Sequence, residues 1–233
     1  MYWHDCQQGV VMLHSAKVMS QLHDVQIAYH AQEPVADYPR IKKIIKKLGD
    51  TPPGRLLDVG YSVGGFADWF VRLGWDCTGL DINERHHPKV RTLQCDLNEG
   101  FPVEDEGYDL VTAGEIVEHM IDETAFVREC RRVLKPKGVL ILTTPNLSYL
   151  VNRVLVALGR MPKFVYEPYH YHFHIRTTLV ELLECNGFKV EHVSASHVLY
   201  SRRLHWTGWA FEKLADWFPT FGAHLIVYAR RKS

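Results

Sequence analysis

Three side chains in the stretch Ala113-Gly114-Glu115-Ile116-Val117-Glu118-His119 have the chemistry to move a proton. Glu115 and His119 stand four residues apart, so a helical turn would place them on one face. An unperturbed imidazole titrates at about 6.5 and can act as a base at neutral pH. His119 is therefore the candidate general base or ligand-positioning group, with Glu118 and Glu115 beside it. The same residues can equally be a structural element of their turn. A second cluster, His170-Tyr171-His172-Phe173-His174, alternates, which suits an extended segment with its histidines on one side. Such spacing can bind a metal. No cysteine or carboxylate lies within the run to complete a site, so no metal is expected. With Tyr166 nearby, Tyr169, His170 and His172 read instead as candidate substrate-binding residues in the wall of a pocket. An aromatic wall suits an aromatic or sugar ligand and can also face a cation.

A third cluster surrounds a glycine turn, Asp58-Val59-Gly60-Tyr61-Ser62-Val63-Gly64-Gly65. It follows a short apolar strand (Leu56, Leu57, Val59) and precedes a helix on which Phe66, Trp69, Phe70 and Leu73 recur at helical spacing. A helix start leaves backbone N–H groups unpaired and carries a partial positive charge, so it can receive carboxylates, hydroxyls or phosphates. Asp81 lies about 20 residues beyond Gly60, where a ribose-binding carboxylate is expected at the end of the next strand. The dinucleotide pattern G-x-G-x-x-G is absent, because its central glycine would fall at Ser62. That absence disfavours a nicotinamide-dependent oxidoreductase.

The elements that must position these groups alternate between strand and helix. Tyr38 to Leu48 reads as a helix with Ile41, Ile44, Ile45 and Leu48 inward and Lys42, Lys43, Lys46 and Lys47 as a solvated face. Thr51-Pro52-Pro53-Gly54 breaks it. Strands follow at 56–59, 75–80, 91–95, 108–113 and 139–143. Asp122 is a plausible N-cap for a helix to Leu134, ended by Lys135-Pro136-Lys137-Gly138. An amphipathic helix is expected at 147–158, stopped by Gly159. Thr178 and Glu181 fit a capping box for a helix that ends near Asn186-Gly187. Phe188 to Val193 is a sixth strand. A helical stripe carries Trp206, Ala210, Leu214 and Trp217, and Ala223 to Ala229 is a last strand. The alternation predicts a parallel α/β sheet.

Composition narrows the classes. The chain has 233 residues, enough for a sizeable core, and its 27 Lys plus Arg balance 27 Asp plus Glu. Nothing in that balance points to nucleic acid. Five scattered cysteines without C-x-x-C fit free thiols in a reducing compartment, and a cytoplasmic location is expected. No apolar run approaches a membrane-spanning length. Trp206, Trp209, Phe211, Trp217 and Phe218, after Arg202 and Arg203, raise a membrane-interface helix. Core packing or a dimer contact is the commoner use of such a stripe, and a monomer or homodimer is expected.

Leu57-Asp58-Val59-Gly60 with Gly64, Gly79-Leu80-Asp81-Ile82, Cys95-Asp96-Leu97, Tyr108-Asp109-Leu110-Val111, Glu118-His119, Leu134-Lys135-Pro136-Lys137-Gly138 and Pro145-Asn146 resemble, in this order, the class I S-adenosylmethionine (SAM) methyltransferases. The resemblance spans roughly residues 38 to 195 and is nearest to the ubiquinone-biosynthesis O-methyltransferase group. It implies a Rossmann-like α/β fold: a seven-stranded, mostly parallel sheet with helices on both faces and the last strand antiparallel, inserted between the fifth and sixth. It implies one domain over 1–233, with a lid or arm at 1–36, a SAM-binding core at 37–146, acceptor-side helices and strand six at 147–221, and the last strand at 222–233. By the same resemblance Gly60, Ser62 and Gly64 flank the methionine part of SAM, Asp58 helps hold its amino group, and Gly114 is a further cofactor-binding residue. Asp81 accepts both ribose hydroxyls and Ile82 packs on the adenine. Asp96 accepts from the adenine amino group, and the Leu97 N–H donates to a ring nitrogen. The implied activity is methyl transfer to an oxygen or nitrogen of a small-molecule acceptor, with S-adenosylhomocysteine as product. A non-catalytic SAM-binding regulatory or scaffolding protein is the alternative. Ala113-Gly114-Glu115-Ile116 stands where DNA adenine methyltransferases carry an Asn/Asp-Pro-Pro-Tyr-type motif, which disfavours that substrate.

Overall fold

The computed structural model describes residues 38–48, 51–62, 65–163, 169–198 and 208–233, all within one compact unit, Ala36–Ser233. The expectations on 1–36, Gly64, Tyr166, Arg202, Arg203 and Trp206, and on the side chains of Trp209 and Phe211, lie outside the described residues.

Seven strands form one sheet: β1 (Arg55–Val59), β2 (Asp76–Asp81), β3 (Arg91–Gln94), β4 (Tyr108–Gly114), β5 (Leu134–Pro145), β6 (Phe188–Ala195) and β7 (His224–Arg231). Their order is β3-β2-β1-β4-β5-β7-β6. β1 to β5 pair in parallel where adjacent, and β7 runs antiparallel to both β5 and β6. The central strands bury both faces, which is why their sequences read as continuous apolar runs. Successive residues go to opposite sides. Leu57, Val111, Leu140 and Val227 enter one core layer with Phe126, Val127, Cys130, Leu179 and Leu183. Leu56, Leu110, Ile141 and Ile226 enter the other with Ile44, Ala67, Phe70 and Trp75.

The helices follow the same logic. The first, α1, spans Tyr38–Leu48 as the sequence predicts. Its Ile44 is fully buried. Lys43 departs from the solvated face: its ammonium donates to Ala195 O at 2.7 Å and to Asp216 Oδ1 at 2.9 Å. On α2 (Gly65–Arg72), Ala67 and Phe70 are the buried positions and Leu73 is exposed. The helix ends at Arg72, so Leu73 no longer shares the inward stripe. Asp122 caps α3 (Glu123–Val133) by accepting from the N–H groups of Thr124 and Ala125, both at 2.9 Å. This cap is worth about 1 kcal/mol.

Four predicted features differ. β5 begins at Leu134 rather than Val139, because Leu134 already pairs with Tyr108 of β4 and the ladder resumes at Val139 after a register shift. In α4 (Leu150–Ala157) the buried residue is Asn152, not the apolar stripe. Asn152 donates toward Asn146 O and Lys163 O and accepts from Lys163 N, while Val154, Val156 and Leu158 stay exposed. α5 (Arg176–Cys185) starts two residues before Thr178, whose hydroxyl instead accepts from Ile175 N at 3.1 Å. On α6 (Gly208–Trp217) Ala215 is the buried one among the described side chains, and Trp217 is 76% exposed.

Candidate active site

The carboxyl ends of β1, β2, β3, β4 and β5 share one edge of the sheet, where ligands bind in open α/β folds. After β1 the chain turns sharply: Gly60 has φ 78° and Ser62 φ 50°. A side chain at Gly60 would come within 3.0 Å of Ile116. Ser62 holds the left-handed backbone that favours glycine, and its N–H donates to Asp81 Oδ2 at 2.6 Å. Asn83 N donates to the other oxygen of Asp81 at 2.8 Å. Asp81 thus ties the β1 and β2 turns together at the position expected of a ribose acceptor. Ile82 beside it is half-buried.

Asp58 is 3% exposed. Burial pushes its carboxyl up to about 7, against hydrogen bonds from Thr112 and the Ala67 N–H and helped by the charge of Asp81. The Thr112 hydroxyl donates to it at 2.7 Å. A buried carboxyl held this high, beside a helix start, would regain its charge beside a cation such as an amino group. After β3, Asp96 Oδ1 accepts from the backbone and side-chain nitrogens of Asn98, both at 2.9 Å. That is the turn-forming use of an aspartate. Leu97 is buried. Gly114 has a packing reason for its identity, since a Cβ there would lie 2.8 Å from the Phe66 ring.

Glu115, Glu118 and His119 come together after β4, but not on a regular helix. Glu115 has φ 53° and Val117–His119 form a single 3-10 turn. Glu115 Oε1 is 2.5 Å from Arg40 Nη1 and accepts from the Thr143 hydroxyl at 2.8 Å. His224 Nε2 stands 3.7 Å from its other oxygen. Burial would raise this carboxyl. The charges of His224 and Arg40 and the hydrogen bonds of Thr143 and Arg40 outweigh it and hold it below the usual carboxylate range. Glu118 goes the other way. It is 1% exposed, and burial together with the charge of Glu115 raises it well above its ordinary value. Its Oε2 accepts from Thr144 at 3.0 Å, and its Oε1 is buried with no hydrogen-bond partner. Two neighbouring carboxyls driven apart in this way suit different roles, one ionised and one neutral.

The 169–174 segment docks on this turn. Tyr171 N donates to Glu118 O at 2.8 Å. His119 Nδ1 is 3.1 Å from Tyr169 O. A carbonyl can only accept, so Nδ1 carries a proton, and in the neutral ring the lone pair is then on Nε2. The rings of His119 and His170 meet edge to face, 4.6 Å between centroids. Glu118, His119 and His170 present ligand atoms within 4.8 Å of one another. Two imidazoles and a carboxylate are a set that can hold a divalent cation. The histidine run holds no carboxylate of its own, but the fold brings two to it: Glu118 closes on His170, and Glu123 lies 3.5 Å from His172 and 3.1 Å from His174. Those carboxylates come from about 50 positions away in the chain, beyond any local spacing rule. Arg40, Thr143 and His224 carried no sequence signal either. Tyr169 lends the site its carbonyl, with φ 77°.

Known proteins share the sequence pattern and the fold. A methyltransferase domain family matches residues 29–193. The chain belongs to the SAM-dependent methyltransferases. A probable SAM-dependent methyltransferase of Mycolicibacterium smegmatis is 32% identical over 161 residues, covering 66% of this chain and 60% of that protein. The mitochondrial ubiquinone biosynthesis O-methyltransferase of Rattus norvegicus is 32% identical over 173 residues, covering 66% and 50%. The chain thus spans between half and three-fifths of the length of these relatives. In fold, the Burkholderia thailandensis 1,6-didemethyltoxoflavin-N1-methyltransferase, solved with S-adenosylhomocysteine, superposes with a TM-score of 0.61 at 15% identity over 100% of this chain and 93% of its own. The Rossmann-like fold and SAM as cofactor follow as the sequence predicts. No described helix is long and apolar enough to cross a membrane.

Proposed function

We propose that the chain transfers the methyl group of SAM to an oxygen of a small-molecule acceptor, with His119 receiving the acceptor's proton. The observation that supports this reading is the His119–Tyr169 contact, which suits a neutral imidazole that donates through Nδ1 and would take a proton at Nε2. When bound, SAM supplies a methyl on a sulfonium, and as the acceptor oxygen bonds to that carbon the carbon–sulfur bond breaks to give S-adenosylhomocysteine. Asp81 would hold the ribose, Asp58 the amino group, and Asp96 with the Leu97 N–H the adenine. The charge of Glu115 is matched by Arg40, so Glu115 serves to anchor the turn that carries His119. Aligning the reactants contributes about 7–11 kcal/mol to lowering the barrier, and the base roughly 10²–10⁴-fold in rate. Tyr169, His170 and His172 support a ring-bearing acceptor, and the relatives named for O-methylation favour a hydroxyl. Nitrogen is the close alternative.

The test is S-adenosylhomocysteine production from a panel of phenols, catechols, sugars and amines. His119→Ala should lower kcat at least 100-fold and leave S-adenosylhomocysteine affinity unchanged. Near-full turnover in that variant removes the base. Cofactor binding without turnover on any acceptor class favours a regulatory or scaffolding protein. A second reading places a divalent cation on Glu118, His119 and His170, favoured by their clustering and by the unpartnered Glu118 Oε1. Chelation would then abolish turnover, and Mg²⁺ or Zn²⁺ would restore it.

A further inference from the structure

The edge of the sheet opposite the candidate active site carries a cleft of about 610 Å³, where β1, β4 and β5 begin and β7 ends. Its size falls in the range of small-molecule sites. Trp75 and Tyr228 contribute to its floor and are 8% and 5% exposed. The Tyr228 hydroxyl is buried there with no hydrogen-bond partner. The rim is cationic. Lys135 donates to both oxygens of Asp109 at 2.8 Å, and Arg230 grips Glu191 at 2.6 and 2.9 Å, so both rim carboxylates are matched. Lys47 and Lys137 also line the cleft, and neither forms an ion pair among the described residues. The rim therefore keeps two positive charges in excess. Lys137 sits at φ 65°, a conformation rare without glycine. Arg230 clamps it there by donating to its carbonyl at 2.8 Å.

We propose that this cleft is a second ligand site, for a small aromatic anion: a flat ring system bearing a carboxylate, sulfonate or phosphate. The ring would lie on the aromatic and aliphatic floor and give up apolar surface to it. The anionic group would sit between Lys47 and Lys137, where the rim keeps its excess positive charge. A neutral ring would forgo the lysines, and a bare inorganic anion would forgo the floor. The site does not overlap Asp81 or His119, so it does not depend on the reaction proposed above.

The probe is naphthalene-2-sulfonate, titrated into the full chain saturated with S-adenosylhomocysteine to block the cofactor edge, with amide chemical shifts as readout. Submillimolar binding is expected, with shifts at Gly54, Gly138 and Arg230. Naphthalene-2-methanol and inorganic sulfate should each bind at least tenfold more weakly. Lys47→Glu with Lys137→Glu, both on the exposed rim, should weaken the sulfonate at least tenfold at low ionic strength. Val139→Trp should block it by filling the floor without changing charge. Absent binding, affinity unchanged in both variants, equal affinity for the neutral alcohol, or shifts confined to Gly60, Asp81 and His119 would each overturn the site. S-adenosylhomocysteine binding is measured in the same titration, so a failure of the cofactor reading is seen separately.

Discussion

Replacing Asp58 with Asn removes the buried carboxyl that leads into the glycine turn and should flatten the pH dependence of stability. The sign follows from the direction of the change. In the fold the carboxyl titrates at about 7, and in the unfolded chain at about 3.9. A carboxyl raised in this way stabilises the folded state fully below the unfolded value and loses that contribution as pH rises through the folded one. The whole effect is about 4 kcal/mol, and about 2.6 kcal/mol of it falls between pH 5 and pH 8. Asn keeps an acceptor for Thr112 but turns an amide toward the Ala67 N–H. An unmatched hydrogen bond there costs roughly 1–3 kcal/mol at every pH. The quantity to read is therefore the slope. Urea denaturation at intervals from pH 5 to 8 should show wild type losing about 2.6 kcal/mol more than Asp58→Asn. Saturating S-adenosylhomocysteine should reduce the difference, because its amino group compensates the ionised carboxylate. Parallel curves for the two proteins would refute the reasoning: Asp58 would then be solvated or already neutralised in the fold.

Asp81→Ala should weaken S-adenosylhomocysteine binding more than 100-fold by calorimetry, since it removes an acceptor for two hydroxyls and frees the Ser62 and Asn83 N–H groups, with charged hydrogen bonds worth about 1.5–3 kcal/mol each. Ser62→Gly should relieve the left-handed backbone and stabilise the protein by about 1 kcal/mol, read as a rise in Tm, with tighter cofactor binding. Gly187→Ala should destabilise by more than about 1 kcal/mol in urea denaturation, because φ is 85° and the added Cβ would meet Arg131 within 2.7 Å.

The parts of the site that sequence revealed are those whose partners are local. Asp58, Gly60 and Asp81 sit at fixed offsets from two strands, and strand buried on both faces has a recognisable apolar composition. Asp122 announces its helix because a cap bonds two and three residues ahead. The electrostatics of Glu115 and Glu118 were illegible, because Arg40, Thr143 and His224 reach them across 75, 28 and 109 positions of chain. Nor could spacing show that His170 faces His119 while His172 and His174 lean on Glu123. Apolar periodicity failed at α4 for a physical reason too: a buried asparagine with satisfied hydrogen bonds anchored the helix, and the valines were left outside.

The insertion of β7 between β5 and β6 bears on how the protein is made. β5 and β6 share no ladder, so the sheet stays split beyond β5 until residues 224–231 have been synthesised. The chain just before that strand supplies the carbonyls of Pro219, Thr220 and Gly222 that Asn146 binds, and Asn146 in turn bridges to His174. A ribosome-bound chain can thus assemble its cofactor edge from β1 to β4 well before the wall around the acceptor closes. During that interval β5 presents an open apolar edge, and slowing translation near its last strand would prolong the exposure.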